Sequence, residues 1–158
     1  MIRKDQPISD TIFAPATAPG RSGVSIIRIS GAKTQQVLSE MIGFIPVHRQ
    51  STLRLLRDET GAPIDQALCL YFAGPESFTG EDVAEFHIHG SPAVLSACLH
   101  RLSKMEGCRI AEPGEFTRRA FENEKLDLSA VEGLSDLIDA ETEIQRKQAL
   151  RQFQGGLT

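Results

Sequence analysis

Arg28 lies in the middle of Val24-Ser-Ile-Ile-Arg-Ile-Ser30, flanked by Ile27 and Ile29. An arginine there either faces solvent or reaches into a pocket to hold an anion, and its planar fork suits carboxylates and phosphates. Glu85 is the second candidate. In the extended run Asp82 to His89, Val83, Glu85, His87 and His89 share one face, and Ala84, Phe86 and Ile88 share the other. The second face reads as core. The first is either solvent or the lining of a cavity. Two histidines two apart on a strand can reach one metal ion. No third ligand is evident, so no metal is expected, and His87 and His89 read as structural or site-lining residues. Lys125, between Glu124 and Leu126, is either a solvated lysine or a third ligand-holding group. No residue is assigned a catalytic role.

Strands must carry the first two candidates. Val24 to Ser30 is rich in β-branched residues and closes on Gly31. Thr11 to Pro15, Thr52 to Leu56, Ile64 to Ala73 and Cys108 to Ala111 read as further strands. Asp58-Glu-Thr-Gly61 is a hairpin connection. Thr34 to Ile42 reads as a helix with Val37, Leu38, Met41 and Ile42 on one face. Ser91-Pro92 opens another, with Ser91 as N-cap, and an apolar face of Val94, Leu95, Cys98, Leu99 and Leu102. Pro113-Gly114 makes a turn before a short helical piece. Strands interleaved with helices, several joined as hairpins, predict an α+β domain with a mixed β-sheet. Beyond it, Ser129-Ala-Val-Glu132 has the pattern of a capping box. An apolar stripe of Leu134, Leu137, Ile138 and Ile144 then predicts one helix of roughly 25 residues, to about Phe153, weakened at Gly133. A helix so long needs a partner for its apolar face, and little of the chain remains to cover it. Asp127, just before Ser129, reads as a partner for the helix dipole.

The 158 residues suffice for one domain and part of a second. With 41% hydrophobic and 24% charged residues, the composition is that of a soluble globular protein. No apolar run approaches the ~18 residues that span a bilayer. The first six residues, Met1-Ile-Arg-Lys-Asp-Gln6, hold no apolar stretch of the kind a signal peptide needs. Three scattered cysteines, Cys69, Cys98 and Cys108, argue against a disulfide framework and fit a cytoplasmic location. The net charge of -4 lowers the expectation of a domain that binds nucleic acid by itself. Pro19-Gly-Arg-Ser-Gly23 could cradle a phosphate. It is not a nucleotide fingerprint, and no G-x-x-x-x-G-K-[ST] motif occurs in the chain.

Three blocks in this order, Pro19 to Gly31, Phe78 to Gly90 and Ala111 to Leu128, resemble the N-terminal region of the MnmE (TrmE) family of tRNA-modification GTPases. The resemblance covers nearly the whole chain. It implies an N-terminal domain like the folate-binding domain of aminomethyltransferases, over residues 1–123. Residues 124–158 would begin a central helical domain, and the G domain, with its GTP, Mg²⁺ and K⁺, would lie elsewhere. The N-terminal domain of that family makes a homodimer and binds a tetrahydrofolate derivative, 5-formyl- or methylene-tetrahydrofolate. Its flavoprotein partner is MnmG (GidA), and together they modify the wobble uridine of tRNA. Carried over by motif, the folate contacts fall on Arg28, Glu85 and Lys125. A pterin edge offers adjacent N–H donors that a carboxylate accepts in pairs, which suits Glu85. The tail carboxylates would fall to Arg28 or Lys125. The chain departs from the family at Ser22, Ser25, Glu122, Glu124 and the Gly90-Ser91 pair, where glycine or an apolar residue is usual, and it lacks the C-terminal Cys-x-Gly-Lys motif. On this reading the chain is a binding module. The rivals are a self-standing one-carbon (aminomethyl) transferase and a dimerisation scaffold without ligand.

Overall fold

The computed structural model describes residues 10–17, 22–140 and 142–155. The phosphate-cradle reading of Pro19 to Gly23 falls largely on residues outside that set. Two compact units are present. The first comprises Met1–Ser77 and Glu81–Pro113, the second Phe78–Gly80 and Gly114–Thr158.

In the first unit the chain runs β1 (Thr11–Pro15), β2 (Val24–Ser30), α1 (Thr34–Ile42), β3 (Thr52–Arg57), β4 (Pro63–Phe72), β5 (Val83–His89), α2 (Pro92–Ser103) and β6 (Cys108–Ile110). The strands form one sheet in the order β3-β4-β5-β2-β1-β6. Every neighbouring pair is antiparallel except β1 with β6, which is parallel. The sheet is therefore mixed and the fold is α+β, as the interleaved pattern predicts.

The period-two alternation decides which face is buried. Ile27 and Ile29 of β2 stand with Ala84, Phe86 and Ile88 of β5 and Cys69 and Tyr71 of β4. From α1, Val37, Leu38 and Met41 close over them, and from α2, Cys98 and Leu102. Ile27, Ile29, Leu38, Met41 and Phe86 are fully buried. Each side chain of this size contributes roughly 1.5–3 kcal/mol by leaving water. Leu102 and Cys98 confirm the expected face of α2, and Ser91 does precede it with Pro92 in the first turn. The Ser91 hydroxyl makes no capping bond. The hairpin between β3 and β4 is held by Asp58, whose Oδ1 accepts from the N–H groups of Thr60 and Ala62 and from the Thr60 hydroxyl.

The second unit holds α3 (Glu115–Glu122), α4 (Leu128–Asp139) and α5 (Glu143–Gly155). Two expectations are corrected here. The single long helix is in fact two, because Ala140 turns extended, with φ -66 and ψ 126. A reciprocal cap opens the next helix: Gln145 N–H donates to Thr142 Oγ1 and Thr142 N–H to Gln145 Oε1, both at 3.2 Å. The cap of α4 is Asp127, whose Oδ1 accepts from Ala130 N–H at 2.8 Å, and Ser129 lies inside the helix. Folding back lets α5 cover part of the apolar stripe that the sequence left without a partner. The contact is at Gly133, where a Cβ would meet Phe153 N at 2.5 Å and Ala149 O at 3.0 Å. Ala120, Leu126 and Ala130 are buried beside Val131 and Phe153. Leu128 and Ile138 remain largely exposed along a groove of about 450 Å³. Among the described residues no helix is long and apolar enough to cross a membrane.

Candidate functional site

The face of the sheet opposite α1 and α2 carries the chemistry. Arg28 and Glu85 are direct cross-strand partners in the register of β2 and β5. Side chains opposite one another in an antiparallel pair stand close enough for charges to meet. Here Arg28 donates from Nε (3.1 Å) and Nη2 (3.0 Å) to Oε2 of Glu85. His87, two residues along β5, places Nε2 3.0 Å from Oε1. A carboxylate oxygen accepts only, so the imidazole is the donor. Glu85 is 17% exposed, His87 27% and Arg28 30%, so the cluster is shielded at its centre and open to a ligand at its rim.

The sequence placed Arg28 and Glu85 on strands with two readings open for each. The structure brings them together as an ion pair on a shared face. A bridge of this exposure is worth about 1 kcal/mol or less. Its consequence is positional: the arginine holds Oε2 in a defined place. Ser30, on the same face of β2 as Arg28, donates its hydroxyl to Oε1 of Glu81 at 2.8 Å. Ser30 and Glu81 extend the polar row, and sequence reasoning did not select either. The period-two spacing from Arg28 to Ser30 was the available signal, whereas Glu81 arrives from a loop that no periodicity describes.

His87 and His89 do not converge. The ring of His89 turns to Asp65, with Nδ1 2.9 Å from Oδ1, and its backbone N–H donates to Oδ2 at 2.9 Å. Burial pushes the Asp65 carboxyl up, but these bonds outweigh it and hold the group below the usual carboxylate range. Among the described residues no group of three His, Cys, Asp or Glu could hold a metal ion.

Lys125 belongs to the second unit, in the turn between α3 and α4. Its N–H donates to Ala120 O at 2.8 Å. The turn is built by Glu124 at φ +61, a left-handed conformation that favours glycine, and by Asn123, whose Nδ2 donates to Thr79 O at 2.8 Å. Gly80 makes room for this packing. It sits at φ +82, and a Cβ there would come within 3.0 Å of Asn123 Cβ and 3.5 Å of Lys125 Cγ. The glycine thus has a reason that sequence alone did not supply.

A groove of about 810 Å³ also runs along α2 and β6, lined by Phe13, Leu95, Leu99, Cys108 and Ile110 among others. Among the described residues its lining holds no carboxylate and neither Arg28 nor Glu85. Chemistry favours the smaller polar cluster over the larger apolar groove. Burial disfavours the thiolate form at all three cysteines. Burial pushes the thiols of Cys69 and Cys98 up to about 11 and about 12.

Comparison with known proteins agrees with the motif blocks. Residues 11–125 match the family model described as GTP-binding protein TrmE N-terminus. The tRNA modification GTPase MnmE of Phenylobacterium zucineum (strain HLK1) is 57% identical over 151 residues, covering 96% of this chain and 34% of that protein. The proteins of the same name from Dinoroseobacter shibae and Roseobacter denitrificans are 56% and 57% identical over 148 residues, or 94% of this chain. The chain spans about a third of the length of these relatives. With a family match over most of its length and relatives at this identity, the chain belongs to the family of the N-terminal region of the tRNA modification GTPase MnmE (TrmE).

Proposed function

We propose that this chain binds a reduced folate, 5-formyl- or methylene-tetrahydrofolate, through Glu85, Arg28 and Lys125. It would do so as a homodimeric binding module of a tRNA modification GTPase that works with the flavoprotein MnmG in the cytoplasm. The observation that carries the reading is the Glu85 carboxylate, fixed through Oε2 by two N–H groups of its cross-strand partner Arg28. An oriented, half-buried carboxylate is the acceptor that a flat edge with adjacent N–H donors requires. In this reading Arg28 works first as the clamp on Glu85, which favours Lys125 for the ligand's tail carboxylates. GTP hydrolysis would belong to the part of the relatives that this chain does not span.

Calorimetric titration with 5-formyltetrahydrofolate tests it. Glu85→Gln keeps the size of the side chain and removes the charge that two N–H donors need. The expected loss is at least about tenfold in affinity, with the circular dichroism spectrum unchanged, because a hydrogen bond to a charged group contributes about 1.5–3 kcal/mol. Equal affinity in a folded variant would remove Glu85 from the site. The bulk of the solution as a monomer would remove the homodimer.

A further inference from the structure

We propose that His87 is a positioning residue of this site, the second donor that fixes the plane of the Glu85 carboxylate. The proposal rests on the folate reading above and adds a residue to it. A terminal carboxylate torsion is broad and roughly two-fold, so a glutamate held through one oxygen keeps more freedom about its last bond than one held through both. Arg28 reaches Oε2 alone. His87 Nε2 takes the other oxygen, at 3.0 Å. Two donors on two different oxygens, from two different strands, narrow that freedom further. A ligand with a single cation would gain little from this. A ligand edge with two adjacent N–H donors must meet both oxygens at once, and gains the ordering that the protein has already made.

The register explains why His87 can do this and His89 cannot. His87 is flanked across the sheet by Ile26 on β2 and Leu68 on β4, apolar neighbours that offer its ring no competing acceptor. His89, on the same face of β5, is held by Asp65 through both its ring and its backbone N–H. The one charged group of the neighbouring strand on the Glu85 side is Arg28, which is itself bound to Glu85.

The test is calorimetric titration of the 158-residue chain with 5-formyltetrahydrofolate, as wild type, His87→Ala and His87→Gln. The glutamine amide can still donate near the position of Nε2. His87→Ala is expected to weaken binding about fivefold, and His87→Gln to restore most of it, in line with the ordering of one side chain. A 2-desamino folate, which presents one donor fewer, is expected to bind wild type and His87→Ala alike. Equal affinity of wild type and His87→Ala for 5-formyltetrahydrofolate overturns the proposal. So does a His87→Gln variant as weak as His87→Ala. If the wild type binds no folate, the folate reading falls separately. The proton on His87 Nε2 then decides the positioning role by nuclear magnetic resonance. A slowly exchanging signal, present in wild type and lost in Glu85→Gln, supports the clamp, and its absence from wild type overturns it.

Discussion

At the scale of single residues, this chain puts its charges where a partner orients them. Arg28 and Glu85 meet because the register of β2 and β5 sets them opposite one another. Sequence periodicity told which face each would share, but not that they would be neighbours. Asp65 shows the same economy. It sits at 12% exposure, and its bonds from His89 hold the carboxyl below its usual range despite the opposing effect of burial. A carboxyl whose folded value is depressed stabilises the fold above its unfolded value and loses that contribution as pH falls through the folded one. Wild-type stability is therefore expected to decline from about pH 4 downward. Asp65→Asn is expected to cost about 1–2 kcal/mol at neutral pH and to flatten that acid limb. Urea melts at a series of pH values measure both. An Asn variant with the wild-type acid slope would assign the slope to other carboxylates.

At the scale of elements, the informative case is the end of the chain. Gly133 lowers helix propensity by about 1 kcal/mol relative to alanine, which made it look like a weak point in one helix. It is a place where the α5 backbone packs against α4 and leaves no room for a Cβ, which would lie 2.5 Å from Phe153 N. Two effects oppose each other in Gly133→Ala. Propensity gains about 1 kcal/mol, while overpacking costs about 1–3 kcal/mol and here strikes backbone rather than a movable side chain. A net loss of up to about 2 kcal/mol is expected in thermal melts followed by circular dichroism. A stabilised variant would show that the two helices separate at little cost. Thr142-Glu-Ile-Gln145 also has the pattern of a capping box, but the apolar stripe runs across it, and the sequence reading carried one helix through. The structure uses Thr142 and Gln145 to open α5, and α4 is capped by Asp127 instead of Ser129.

At the scale of the whole molecule, the two units carry very different cores. The first encloses Phe86, Ile27, Ile29, Leu38 and Met41 with α1 and α2 over the sheet. The second buries Ala120, Leu126 and Ala130, among the described residues, with Val131 and Phe153 partly covered. Small side chains bury little apolar area, so the second unit is expected to open at lower free energy. Hydrogen exchange should show amides of α4 and α5 opening at least about 1 kcal/mol more readily than those of β2 and β5. One common opening free energy for both sets would mean that the units unfold together.

The sequence by itself determined the strands of the first unit, the buried faces of α1 and α2, the α+β class and the family. Those follow from local periodicity, turn residues and motif spacing, all of which act within a few residues along the chain. The tertiary structure alone decided that Arg28 and His87 take different oxygens of Glu85, that His89 turns away to Asp65, and that the final apolar stripe folds back at Ala140 instead of running on. Each of these depends on groups brought together from separate segments, or on an apolar face that finds its partner only after the chain turns back. Neither is a property of a short segment, because the energy that selects the outcome is the burial and pairing that exist once the segments have met.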